Sequence, residues 1–244
     1  MNYFSDETSL RYCGLWNKYY FPIHSLSIAL LSIILFYRLP DNNTSELSLL
    51  MPVNTVNTVY ETKWYDFFSC QVLHINESHL WNNLSLLLLL GTLFEFVHGP
   101  IPCFVVFWIG GTTGVMLELG WWYRNPTRLL GASSGVYALV SAYFSHLLMN
   151  WKETPLKYVW FLTLILSVVI TILFYYYSEN GEYNVAHIAH LGGAIQGVFV
   201  GCLSVRNLRV TKIENMLKVI CFLLASGFIG SVWYRIVLVN NYYA

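Results

Sequence analysis

Gly131-Ala132-Ser133-Ser134-Gly135-Val136-Tyr137 sets serine hydroxyls at the start of an apolar helix with an unusually small side, which Gly131, Ala132 and Gly135 begin. Ala138, Ala142 and Ser145 continue the small face, which lets a neighbouring backbone come close. Tyr137 stands four residues after Ser133 and so shares its face. A lone serine in such a helix would merely bond to a carbonyl one turn back. Two further polar clusters change that reading: His74, His79 and Asn83, and His187, His190, Gly192 and Gly193, both at the starts of apolar helices.

The chain around them is built for a bilayer. Its 244 residues are 56% hydrophobic, 17% aromatic and 11% charged, against about 25% charged in soluble domains. Net charge is zero, so nucleic acid is not an expected partner. The five cysteines are scattered and form no C-x2-C pair, so they read as packing residues. No H-E-x-x-H motif occurs, and neither a metal nor a cofactor is expected. Apolar runs near 22–39, 80–97, 101–120, 129–149, 156–177, 185–205 and 217–239 approach the ~20 residues that span a bilayer.

The predicted fold is therefore all-α, a polytopic bundle of seven transmembrane helices in one membrane body. Residues 1–21 form a short N-terminal segment with Asp6 and Glu7, unlike a cleavable signal, so the first apolar run is expected to remain as an anchor. Residues 40–78 make a long loop whose Trp64-Tyr65-Asp66-Phe67-Phe68 patch suits the headgroup level. Residues 206–244 comprise a basic linker, the seventh helix and a short tail.

Positive charge sets the orientation. With the N-terminus cytoplasmic, Arg11, Lys18, Lys152, Lys157, Arg206, Arg209, Lys212 and Lys218 face inside, whereas Arg38, Lys63, Arg124 and Arg128 face outside. The even-numbered helices then begin on the outer side, and all three polar clusters fall at one depth. From His190, Gly193, Gly197 and Gly201 follow in a stripe along one face, so two small-faced helices could bring His190 to Ser133. A histidine inside a membrane is a functional candidate by default. His187 competes with it but lacks the stripe in register. His79 and Asn83 share a face and offer donors for a developing oxyanion. Glu95 and Glu118, near helix ends, read as structural hydrogen-bonding groups.

These residues resemble the rhomboid intramembrane serine proteases over the whole membrane body. The family's G-x-S-G motif with a tyrosine at Ser+4 is similar to Gly131, Ser133 and Tyr137. Its H-x-x-G-x-x-x-G resembles His190, Gly193 and Gly197, and its H-x4-H-x3-N resembles His74, His79 and Asn83. The glycine after the nucleophile is Ser134 here, which leaves Ser134 open as an alternative nucleophile. The family's Trp-Arg pair is Trp64-Tyr65, and the glycine five residues before the histidine is Val185.

The resemblance implies a six-helix core plus a seventh helix and a Ser133–His190 dyad with no acidic third member. It also implies an oxyanion site from His79 and Asn83, and Tyr137, Gly131 and His74 in support. Substrates would be single-span transmembrane proteins, cut near the outer or luminal face. The alternatives are a catalytically inactive relative that binds membrane clients, and a transporter, for which no inverted repeat is evident. A secretory-pathway or plasma membrane is favoured, with sequons opened by Asn42, Asn43 and Asn76, and a bacterial inner membrane is also compatible.

Overall fold

The computed structural model describes residues 20–38, 64–121, 129–178 and 186–243. Asn42, Asn43, Arg124, Arg128, Val185 and most of the segments 1–21 and 40–63 lie outside the described residues. Among the described residues the fold is all-α, apart from short turns and one isolated bridge residue. The long helices are α1 (Ile23–Arg38), α2 (Glu77–His98), α3 (Pro100–Trp121), α4 (Ser133–Met149), α5 (Lys157–Ser178), α6 (His187–Ser204) and α7 (Lys212–Tyr243).

Four of them, α2, α3, α6 and α7, are long and apolar enough to cross a membrane. The chain is thus a multi-helix membrane protein. α1 and the first part of α5 are shorter apolar helices. α4, at 17 residues, sits in the middle, with Ala138, Leu139, Ala142 and Ser145 wholly buried.

Helix boundaries follow local chemistry. α4 begins at Ser133 rather than at 129, because Gly131 has φ +122°, a left-handed conformation that cannot continue a helix. α7 reaches back to Lys212, so part of the expected linker is helical. Thr211 and Glu214 cap it reciprocally: Glu214 N–H donates to Thr211 Oγ1 at 3.2 Å and Thr211 N–H to Glu214 Oε2 at 2.7 Å. Within α2, Leu87–Gly91 form a π turn. Carbonyls in that turn meet partners from other helices, Tyr143 OH donating to Leu90 O at 2.7 Å and Cys103 Sγ approaching Gly91 O at 3.9 Å.

The central contact is α6 against α3 and α4, and it exists because the facing residues are small. A β-carbon on Gly193 would strike the backbone and hydroxyl of Ser134. One on Gly197 would strike Ala138, and one on Gly201 would strike Ser145 and Ala142. Ser145 Oγ donates to Val198 O at 2.7 Å across the same seam. The glycine stripe seen in the sequence is therefore the surface along which α6 lies on α4.

Two apolar clusters fill the bundle. The larger gathers Leu80, Leu84, Phe94, Phe107, Leu139 and Met149 between the helices. The smaller joins Phe67, Cys70, Met116 and Leu119 to Val232 and Ile236 of α7. The patch 64–68 includes a helical turn over Asp66–Ser69. Its anchor is α7, where Trp64 meets Trp233 at 5.0 Å between ring centroids.

Candidate active site

Gly131, the last non-helical bend before α4, fixes the direction in which the serines emerge. Its N–H donates to Cys70 O at 2.8 Å, tying the bend to the segment that precedes α2. Ser133 opens α4 and Ser134 follows, so their side chains leave the helix about 100° apart. That rotation separates their fates. Ser133 is half-buried, and its Oγ lies 2.8 Å from His190 Nε2. Ser134 is only 2% exposed and donates to Ala189 O at 2.9 Å and Gly111 O at 3.1 Å. Its hydroxyl is absorbed by the α3–α4–α6 packing, where Gly114 and Gly193 make room for it.

His190 is held from two sides. The Tyr137 ring stacks on it at 4.4 Å between centroids and 16° between planes. Beneath it, the first turn of α6 is capped from α3, with Ala189 N–H donating to Glu118 Oε2 at 2.7 Å. A carboxylate at a helix N-terminus satisfies an otherwise orphaned donor and opposes the helix dipole. The expectation of a structural role for Glu118 is met in this bond. His187 stands at right angles to His190, 6.2 Å away.

His79 and Asn83 of α2 lie over Gly131. A β-carbon there would fall 2.6 Å from His79 Cε1, 2.9 Å from His79 Nε2 and 3.5 Å from Asn83 Nδ2. Both side chains thus face the bend that carries Ser133. Asn83 donates one amide proton to His79 O at 2.9 Å, leaving the other for a further acceptor. The α2 start is pinned by Asn76, whose Oδ1 accepts from His79 N–H at 2.8 Å. His74 sits just before it, buried, 5.3 Å from the His79 ring. Burial first, and the neighbouring His79 second, push its pKa down to about 4, so it is neutral at physiological pH.

All seven residues singled out in the sequence therefore gather at one end of the bundle. Sequence reasoning missed Gln71, which donates to Thr112 Oγ1 at 3.1 Å and to Phe67 O at 3.1 Å, and so fastens the loop to α3. It also gave no role to Arg235, a charge inside the seventh apolar run. Arg235 Nε donates to Gly120 O at 2.8 Å, and its guanidinium lies over Trp121. A charge within an apolar helix was the available signal, since such a group must find a partner.

A half-buried serine bonded to an oriented imidazole, within a helical membrane bundle, defines the class of protein to which comparison should point. The Rhomboid domain matches residues 61–207, and the chain belongs to the rhomboid family. It is 33% identical over 177 residues to Rhomboid-related protein 1 of Caenorhabditis elegans, covering 68% of this chain and 47% of that protein. It is 28% identical over 189 residues to Rhomboid-related protein 2 of Mus musculus, covering 72% and 61%. With RHOMBOID-like protein 1 of Arabidopsis thaliana it shares 27% over 162 residues, covering 66% and 39%. The chain spans about half the length of the curated relatives it matches.

Proposed function

We infer that this protein is an intramembrane serine endopeptidase, with a six-helix core, an added seventh helix and a cytoplasmic N-terminus. The observation that carries this reading is the 2.8 Å contact of His190 Nε2 with Ser133 Oγ beneath the stacked Tyr137 ring. With the imidazole neutral and its proton on Nδ1, Nε2 accepts the serine proton as Oγ attacks the scissile carbonyl. The tetrahedral intermediate places its oxyanion toward His79 and Asn83 and the N-terminal N–H groups of α4, which lack intrahelical partners. His190 then donates its proton to the leaving amine. Water, deprotonated by the same nitrogen, hydrolyses the acyl-enzyme and restores Ser133.

No acidic residue is needed to orient the ring under this mechanism. Tyr137 holds its plane, and Glu118 holds the helix turn that carries it. The hydrogen bonds of Ser134 favour Ser133 as nucleophile. Substrates are transmembrane segments of single-span proteins, cut near the outer or luminal face of a secretory-pathway or plasma membrane. An extended stretch is required, because a helix shields its own peptide bonds.

The test is cleavage of a rhomboid-type transmembrane substrate in liposomes by wild type and by the Ser133→Ala, Ser134→Ala and His190→Ala variants. Cleavage lost in the first and third but kept in the second is expected. Cleavage surviving Ser133→Ala overturns the assignment, and an inert wild type would favour a client-binding relative.

A further inference from the structure

At the opposite end of the bundle, the start of α1 meets the end of α2 and the start of α3. His24, Glu95 and Cys103 converge there, all buried, and one ligand atom from each lies within 4.8 Å of the others. The His24 ring is 8% exposed, and neither of its nitrogens has a hydrogen-bond partner among the described residues. Phe104 and Phe107 contact it edge-on at 5.5 and 5.4 Å, which fixes the ring without satisfying it. A buried donor left unmade is costly, so an imidazole in this state points to something that binds it.

Glu95 Oε1 already accepts from Ser25 N–H and Ser25 Oγ, which occupies both lone pairs. Oε2 accepts from His24 N–H at 3.0 Å, and the Cys103 thiol hydrogen-bonds the same carboxylate, a proton that a metal ion would replace. Cys103 Sγ also stands 3.9 Å from Ser25 Oγ and 3.9 Å from Gly91 O, long contacts for a thiol.

We propose that His24, Glu95 and Cys103 form a structural zinc site that pins α1 to the α2–α3 turn. Nitrogen, thiolate and carboxylate together are the ligand set of a borderline-soft divalent ion, whereas magnesium and calcium ask for oxygen alone. The charges balance: the thiol gives up its proton to solvent, and thiolate plus carboxylate offset the two positive charges of the ion. A neutral complex is what a low-dielectric site tolerates. Bonds of ~2.0–2.3 Å place tetrahedral ligands roughly 3.3–3.8 Å apart, so the three side chains close by about 1 Å from their present spread. Ser25 Oγ or a water takes the fourth position. No short motif could reveal this site, because its residues come from three helices.

The test needs tag-free protein purified in detergent, stripped with chelator and dialysed. Zinc is then titrated against a chromophoric chelator, and Co2+ is added separately as an optical probe. One equivalent of tightly bound zinc per chain, with a thiolate-to-cobalt charge-transfer band, is expected. Cys103→Ser and His24→Gln should each weaken zinc at least tenfold and Cys103→Ser should abolish the band, while Cys221→Ser and Ser133→Ala leave both unchanged. The site stands apart from the proposed reaction, so the Ser133→Ala control separates the two ideas. Wild-type protein that takes up no zinc, or binding undiminished in both ligand variants, overturns the proposal.

Discussion

The two ends of this bundle both contain histidine, asparagine and a buried glutamate, yet they use them in opposite ways. At the end away from Ser133, and apart from His24, the polar groups are largely spent on joining helices. Arg206 N–H donates to His98 Nδ1 at 3.0 Å, and Arg206 Nη1 donates to Val97 O at 3.3 Å. Asn150 accepts from Leu208 N–H at 2.8 Å and donates to Arg206 O at 3.1 Å and His146 O at 3.2 Å. This network stitches α2, α4 and the α6–α7 link. At the other end, Ser133 and His190 bond to each other, Asn83 has a proton to give, and His79 Nδ1 lacks a partner among the described residues. Satisfied polar networks make a bundle rigid. Unsatisfied groups persist where something else is meant to complete them.

That contrast can be broken by substitution at each end. The largest effect is expected at Ser133 and His190: alanine at either should lower cleavage by roughly 10⁴-fold or more while the thermal midpoint barely moves. Asn83→Ala should cost roughly 10²–10³-fold in kcat if its free proton serves an oxyanion. Gly131→Ala should act similarly, because its φ of +122° and the closeness of His79 leave no room for a methyl group. Rates unchanged in both would remove α2 from the mechanism. Asn150→Ala should show the reverse pattern, a loss of about 1–3 kcal/mol in stability with an unaltered rate for the folded fraction. A rate loss there without destabilisation would erase the distinction between the ends.

Much of the site end was legible because it is periodic. Spacing of four put Tyr137 beside Ser133, and the stripe from His190 through Gly201 named the face on which α6 packs. The opposite end was not legible, for a physical reason. Periodicity tells which face of a helix is polar but not which neighbour it meets, and the pairs here lie far apart in the chain. Arg206 and His98 are 108 residues apart, and Arg235 and Gly120 are 115. The Thr211-x-x-Glu214 capping box was readable in principle, and it marks where α7 begins. The direction of Ser134 was not readable, since it depends on which carbonyls α3 and α6 present.

α7 joins the comparison more subtly, because it supports the site end without contributing a reacting group. Trp233 packs on Trp64, and Arg235 holds the last turn of α3, two residues beyond Glu118. Arg235→Ala should loosen the cap on α6 and lower kcat about tenfold or less, with KM little changed. Lysine should not rescue it, because only a guanidinium supplies the Nε–H donor and the flat contact with Trp121. Full activity in Arg235→Ala would confine α7 to membrane anchoring.

The smallest effect concerns His74, which lies before α2, buried beside the His79 ring. Its pKa falls from 6.5 to about 4 in the folded protein, chiefly through burial. Between those values the unfolded chain binds the proton that the folded one rejects, so stability is complete above pH 6.5 and drains away as pH falls toward 4. His74→Phe removes the titrating group while keeping a ring in the space. Its thermal midpoint should therefore fall less steeply across that window than that of wild type. Parallel slopes would mean that the acid sensitivity resides elsewhere. A shallower slope would show that even the uncharged supports of the Ser133 end depend on a proton being kept out.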